Sequence, residues 1–318
     1  MRKHLFYAIF ILAFSMAYSQ NQTFDPLYTG PIITSSGNNE SPGEWCLQPY
    51  FFYADNYGIY THRGDKHTTA KEYSISPQFL VQTGLTKWLD ITVTPGVIYK
   101  WNSSDEEFGM DAIPVKFGLQ FLKEKWHTPR PSMRVTVSES IPVGKYKDLD
   151  PNKNGLDAFG AGSFVTSLSL NISKVVFWFP THPMQLRLNV GGTIPTKVKV
   201  TGFNAYGGGY NTDGTVTPGN RIFIDGAFEF SFTRKWVLAS DICYHKVSKA
   251  KFSGNKGTTA TGAEASISLD SSYSFELAPA LEYNHSEKFG VLAGAWFSVT
   301  GKNSAAFNSA VLSLVWNL

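Results

Sequence analysis

Apolar and polar residues alternate with a period of two through most of the chain. In residues 73–85, aromatic, aliphatic and proline side chains occupy every second position except 83, with serine, glutamine and glycine among those between. This alternation predicts β-strands with one apolar and one polar face. Similar segments follow down to Trp316 and Leu318, and with residues 45–53 they make about twelve strands, an even number.

The predicted connections between these strands alternate in length. A β-sandwich has no such rule, whereas outer-membrane barrels have short periplasmic turns and long extracellular loops. We therefore predict an all-β fold, a transmembrane antiparallel β-barrel of about 12 strands that closes on itself because lipid cannot satisfy an open sheet edge. The short connections lie near 87–90, 123–131, 180–183, 234–235 and 284–288, and the long ones near 55–71, 102–109, 144–160, 196–220 and 248–270.

The first residues carry the features of a secretory signal. Basic residues 2–4 precede an apolar run from Leu5 to Ala17, and Ala17 and Ser19 supply small side chains before a cleavage site. The run is too short to span a bilayer, so residues 1–19 are predicted to be a signal peptide. The chain is therefore expected to be exported, and the cell outer membrane of a Gram-negative bacterium is its predicted location.

Two further segments follow the signal peptide. Residues 20–44 are polar and rich in glycine, asparagine and serine, which predicts a periplasmic N-terminal extension. That extension is either an unstructured linker or a plug inside the barrel. Residues 45–318 are predicted to form the barrel itself.

Tryptophan placement supports a membrane setting. Six of the eight tryptophans lie in or beside the short turns or near the chain ends of the predicted barrel. Aromatic residues collect at membrane–water interfaces because their rings have apolar bodies and polar edges. Ordinary core tryptophan is the alternative to this periplasmic aromatic girdle, whose members are Trp45, Trp88, Trp126, Trp178, Trp236 and Trp316.

The composition disfavours several classes of protein. Charged residues are only 17% of the chain and the net charge is +3, with no cluster of Lys and Arg, so a nucleic-acid binder is disfavoured. The aromatic fraction of 15% disfavours disorder. Two cysteines cannot build a disulfide framework, and both are expected to be inert on the lumen face.

With the exception of Glu139, charged residues of the predicted strands fall on the face opposite to the apolar one, which would line the lumen. Basic and acidic side chains separate into two arcs of the wall. Such arcs would either impose a field on a water-filled path or pair with each other and brace the interior. The basic arc is Lys100, Lys116, Arg134 and Arg187, and the acidic arc is Asp225, Glu229, Asp241, Glu276 and Glu282.

Catalytic and metal signals are weak. The loop residues Asp150, Asn152, Asn154 and Asp157 have the oxygen spacing of half a calcium loop, but Ala161 stands where the twelfth-position acid belongs. A polar turn is the favoured interpretation, with calcium as the alternative. No catalytic residues and no cofactor are predicted.

One segment resembles a known family. Residues 139–146, with sequence ESIPVGKY, and the later Gly160-Ala161-Gly162 resemble the outer-membrane family associated with the phenol-degradation meta pathway, whose members are considered transporters. The resemblance implies passage of small compounds, including hydrophobic or aromatic ones. The apolar C-terminal strand also resembles the signal read by the barrel-insertion machinery.

The resulting hypothesis is a monomeric outer-membrane channel for passive diffusion of small molecules. Its expected surroundings are the lipid bilayer and lipopolysaccharide, and no nucleic acid is expected as a partner. The alternative is a non-conducting surface protein whose extracellular loops bind a partner or host molecule.

Overall fold

The computed structural model describes residues 24–179, 181–268 and 270–318, so the predicted signal peptide lies outside the described residues. No helix in these ranges is long and apolar enough to cross a membrane. A 3₁₀ turn covers Pro151–Lys153. The strands are β1 (Trp45–Tyr60), β2 (Lys66–Gly84), β3 (Leu89–Val93), β4 (Ile98–Trp101), β5 (Glu106–Gly109), β6 (Ala112–Leu122), β7 (Ser132–Pro142), β8 (Val165–Phe179), β9 (His182–Pro195), β10 (Val198–Thr201), β11 (Asp213–Thr217), β12 (Arg221–Ser231), β13 (Trp236–Val247), β14 (Lys251–Asn255), β15 (Ser272–Asn284), β16 (Phe289–Lys302) and β17 (Ser304–Asn317).

The strands close into an antiparallel barrel. β1 pairs with β2 on one side and with β17 on the other, so the sheet has no open edge there. β3 and β4 both pair with β2 and form one wall strand interrupted around Pro95, which cannot donate a ladder hydrogen bond. β5 and β6 form a second interrupted strand. The wall therefore has twelve strands, and the predicted barrel is confirmed.

The outer surface of the barrel is apolar. Large hydrophobic side chains point outward from the wall strands, among them Phe51, Phe117, Leu168, Ile224 and Leu312. The alternate positions carry most of the buried polar residues. A soluble protein would bury the first set, so this inverted arrangement fits a wall with lipid outside and a polar interior.

The end with long loops carries its own small sheet. β10, β11 and β14 pair in the order β10-β11-β14, and Val198, Val200 and Val216 form its buried core. The first connection is shorter than the predicted span 55–71, because β1 and β2 continue pairing up to Tyr60 and Lys66. The strand pairing continues into the predicted loop, which turn composition alone did not reveal.

Candidate functional site

Residues 26–40 lie inside the barrel rather than beside it, residues 41–44 are exposed, and we call the whole segment 24–44 the plug. Its backbone N–H groups bind wall carboxylates: those of Ile32, Ile33 and Thr34 donate to Asp241 at 2.9, 3.3 and 2.8 Å. The N–H of Thr29 donates to Glu282 Oε2 at 2.8 Å. Two members of the predicted acidic arc therefore hold main chain.

The plug also contacts the opposite arc of the wall. The Gly37 N–H donates to Ser173 Oγ at 2.7 Å, and a Cβ at Gly37 would collide with the backbone of the wall. Asn39 Nδ2 donates to the carbonyl oxygens of Trp88 at 2.6 Å and Gly118 at 3.1 Å. Of the two alternatives for the N-terminal extension, these contacts are those of a plug at the short-turn end of the lumen.

The lumen charges pair with near neighbours. The Arg187 guanidinium donates to both carboxylate oxygens of Glu229 on the adjacent strand, at 2.6 and 3.1 Å, and Glu229 is fully buried. Arg134 pairs with Asp90, and both side chains are almost completely buried. Bracing by pairing therefore describes these residues better than two unpaired arcs facing a water-filled path.

Asp90 is a residue that the sequence analysis missed. It was assigned to the short turn 87–90, whereas the structure makes it the second residue of β3 on the lumen face. The available signal was its spacing of two from Thr92, which also faces the lumen. Lys116 lines the cavity described below. Lys100 lies nearer the long-loop end and donates to the Ala158 carbonyl at 2.7 Å.

A hydrogen-bonded cluster occupies the acidic arc away from the plug. His245 Nε2 lies 2.8 Å from Asp225 Oδ1, and its Nδ1 lies 3.7 Å from Glu276 Oε1. Glu276 also accepts a hydrogen bond from Trp296 Nε1 at 2.9 Å. The acidic arc is thus divided between residues that hold the plug, an arginine or a histidine.

Two cavities follow the remaining side of the lumen. A cavity of about 370 Å³ lies between the plug and the wall strands β1, β2, β3 and β6. A second, of about 270 Å³, lies further toward the long-loop end. Phe52 and Gln78 line both cavities, so the two share a boundary. Trp296 and Phe307 add aromatic surface to the second.

The six predicted girdle tryptophans lie at the short-turn end. Trp45 and Trp236 begin β1 and β13, and Trp88 and Trp126 lie in connecting turns. Trp178 and Trp316 are the second-last residues of β8 and β17. Five of them are between 40% and 56% exposed and Trp178 is half-buried, so they form a ring at one rim. Its position at the membrane interface stays a prediction.

The candidate calcium loop is organised by its own hydrogen bonds. Asp150 Oδ1 accepts from the N–H of Asn152 at 2.9 Å, and Asn154 adopts a left-handed conformation with φ of 51°. Asp157 Oδ2 accepts from the Asp150 N–H at 3.0 Å and from Lys145 Nζ at 2.6 Å. An ammonium group already neutralises Asp157, which is the arrangement of a polar turn.

Acid is expected to loosen this loop. Burial raises the pKa of Asp157, but the Lys145 ammonium and the Asp150 N–H outweigh it and hold that pKa below its usual range. A depressed carboxyl pKa contributes stability above the unfolded value of about 4, and this is lost as pH falls toward the folded pKa. Hydrogen exchange of residues 143–164, corrected for intrinsic rates, should be faster at about pH 3 than at about pH 6. The Asp157→Asn variant should exchange fast at both, and equal acid sensitivity in that variant would contradict the assignment.

Glycine at position 118 is expected to be required for the Arg134–Asp90 pair. A Cβ there would overlap the Arg134 guanidinium, which must then leave its buried partner. Gly118→Ala should lower the free energy of unfolding by about 1–3 kcal/mol in denaturant titration. Gly226→Ala is the control, because the nearest atom to its Cβ is 4.0 Å away. Equal stability of the two variants would show that the pair tolerates displacement.

Comparisons with known proteins show a shared fold. No protein-family model matches the chain, and no curated protein matches its sequence. An outer membrane channel from Pseudomonas putida F1 is similar in structure, with a TM-score of 0.68 and 11% identity over 90% of this chain and 100% of that one. The toluene transporter TodX of Pseudomonas putida has a TM-score of 0.40 and 11% identity, covering 93% of this chain and 99% of that one. A FadL homologue of Pseudomonas aeruginosa has a TM-score of 0.39 and 10% identity, covering 86% and 90%.

Proposed function

We propose that this barrel is an outer-membrane channel through which small molecules, including hydrophobic or aromatic ones, diffuse passively. The observation that carries the proposal is the pair of adjoining lumen cavities with aromatic walls. A lumen that served only to brace the wall would need no such space. The shared fold with an outer membrane channel supports the same conclusion.

The lining suits solutes with a flat apolar body. Phe52 stacks on Tyr50 with ring centroids 5.6 Å apart and meets the edge of Trp296 at 6.3 Å. Trp296 meets Phe307 at 5.0 Å. Aromatic rings pair favourably in stacked and edge-to-face geometries, so an incoming aromatic solute can replace one ring contact by another. Gln78 and Asn56 add polar groups that can bind a hydroxyl substituent.

The plug is the barrier in this channel. It occupies the short-turn half of the lumen and forms one wall of the larger cavity. Solute that reaches this cavity from the long-loop end must pass along the plug or displace it. Solute moves down its concentration gradient, and the proposed transport uses no cofactor.

We also propose membership of a family, a monomeric state and recognition by the barrel-insertion machinery. The segment 139–146 supports membership of the family associated with the phenol-degradation meta pathway. The pairing of β1 with β17 closes the barrel within one chain, and this supports a monomer. The apolar alternation that ends at Trp316 and Leu318 supports recognition by the barrel-insertion machinery.

The folded long loops favour a second candidate function, that of a non-conducting surface protein whose loops bind a partner. The long loops are folded rather than loose: the Leu149 N–H donates to the Phe203 carbonyl at 2.9 Å, and the Ala205 N–H to the Tyr146 carbonyl at 2.8 Å. A folded outer surface is what a partner-binding protein without conductance would need. Solute uptake by the purified protein separates the two functions, because a surface binder would show none.

Filling the aromatic cavity is expected to block the channel. Ala54 lines the cavity of about 270 Å³, and Ala54→Trp would occupy most of it. Uptake of a small aromatic alcohol into proteoliposomes should fall several-fold, because the solute loses its space beside Phe52. Ala293→Trp makes the same change on the outer face of β16, where the residue is exposed, and should leave uptake unchanged. Unaltered uptake in both variants would reject this route.

A further inference from the structure

Two carboxylates, a thiol and an imidazole meet on the lumen face of β12, β13 and β15. Asp225 lies directly opposite Cys243 in the strand register, and Cys243 lies opposite Glu276. His245 is two residues beyond Cys243 on β13 and therefore shares its face. All four residues are buried, and Cys243 is completely so.

The possible ligand atoms of this cluster are close together. One atom each from Asp225, Cys243 and His245 lie within 4.8 Å of one another. Ligands of a tetrahedral zinc ion, bound at about 2.0–2.3 Å, lie about 3–4 Å apart. Small side-chain rotations would bring the three atoms to that separation. Thiolate, imidazole and carboxylate are the donors that zinc takes in proteins.

We propose that Asp225, Cys243 and His245 bind a Zn²⁺ ion, with water completing the tetrahedron. The ion takes the place of the proton between His245 Nε2 and Asp225 Oδ1, which are 2.8 Å apart, and that proton leaves to solvent. The Cys243 thiol loses its proton to solvent and binds as the thiolate. Nδ1 then carries the remaining imidazole proton and donates it to Glu276, the carboxylate partner that metal-bound histidines commonly have.

The local charge favours a divalent cation. Cys243 lies between two carboxylates, because Asp225 is its register partner on β12 and Glu276 is its register partner on β15. Asp225 and the thiolate together neutralise the two charges of the ion, which lowers the cost of burial. The thiolate selects zinc over calcium or magnesium, since those ions prefer oxygen donors.

The ion would join β12 and β13 directly, and β15 through Glu276. Glu276, which orients His245, also accepts the hydrogen bond from Trp296 Nε1 at 2.9 Å. The metal would thus fix the position of Trp296 through one carboxylate. This role goes beyond passage of solute, and the protein can fail as a channel and still bind the ion.

Cobalt is the probe for the test, because Co²⁺ occupies zinc sites and shows thiolate coordination as a near-ultraviolet charge-transfer band. The full-length folded barrel is titrated with Co²⁺ in detergent micelles. The expected result is such a band that saturates at one ion per chain and is displaced by Zn²⁺. Cys243→Ser should abolish the band, and Glu276→Gln should weaken Co²⁺ binding by about 10–100-fold.

The second cysteine provides the control. Cys46 is also buried and free, but it lies on β1 away from the cluster, so Cys46→Ser should keep the band. Circular dichroism confirms that each variant is folded. Absence of the band in the unaltered protein, its persistence in Cys243→Ser, or its loss in Cys46→Ser would each overturn the proposal. In that case His245 is simply held between two carboxylates.

Discussion

Deletion of residues 27–40 is expected to raise the single-channel conductance of the barrel by about tenfold. This stretch holds the plug in the lumen through the Asp241, Glu282 and Ser173 contacts. Its removal leaves a twelve-stranded wall. The width of its interior is intermediate between that of eight-stranded barrels, which side chains fill, and that of porins, which have an open lumen. Planar-bilayer recordings of the purified variant measure the change directly.

A point substitution should reproduce part of this effect. Asp241→Asn removes the charge that binds three successive N–H groups of the plug, and hydrogen bonds to charged groups contribute about 1.5–3 kcal/mol each. We expect intermittent openings to the conductance of the deletion variant. Glu139→Gln is the matched control, since Glu139 is a wall carboxylate that binds Thr166 rather than the plug. A deletion variant with unaltered conductance would show that something other than the plug closes the lumen.

Arg187→Ala is expected to cause the largest loss of stability among single substitutions of the wall. Arg187 makes two hydrogen bonds to the fully buried Glu229 and lies under Gly30 of the plug. Breaking a buried pair by removing one partner costs about 3–5 kcal/mol, because the remaining charge stays buried without compensation. Guanidinium chloride unfolding of the barrel in lipid vesicles measures the loss.

Two comparisons show whether burial is the cause. Arg234 pairs with Glu287 at 3.2 Å in the short turns, where both side chains are more than half exposed. Arg234→Ala should therefore cost only about 0–1 kcal/mol. The double variant Arg187→Met/Glu229→Met should recover much of the stability, since neither partner then remains charged. If Arg187→Ala and Arg234→Ala cost the same, the lumen is wet enough to solvate Glu229.

The wall of this protein could be predicted from sequence because its signal is repeated. Alternation with a period of two fixes which residues face lipid, and it continues through twelve strands, so single errors do not change the fold. The separation of short turns from long loops also indicated which end of the barrel faces the periplasm. Strand ends were harder: β1 and β2 extend further than their glycine, asparagine and lysine content indicated.

The lumen was less predictable because main-chain atoms do much of the binding there. Nothing in the sequence around Ile32 to Thr34 indicates that its N–H groups will meet Asp241. Arg134 was expected on the lumen face, but its partner Asp90 lies 44 residues away in the chain, at the start of a strand rather than in a turn. Such pairings depend on which strands become neighbours, and composition does not encode that.

The anchoring of the plug to both arcs of the wall sets an order of events during biogenesis. Its partners include Ser173 on β8, Asp241 on β13 and Glu282 on β15, while the plug itself precedes β1 in the chain. The first described segment to be synthesised is therefore among the last that can settle, because its docking groups assemble only as the later strands are added. Until then the buried carboxylates stay hydrated in the nascent barrel.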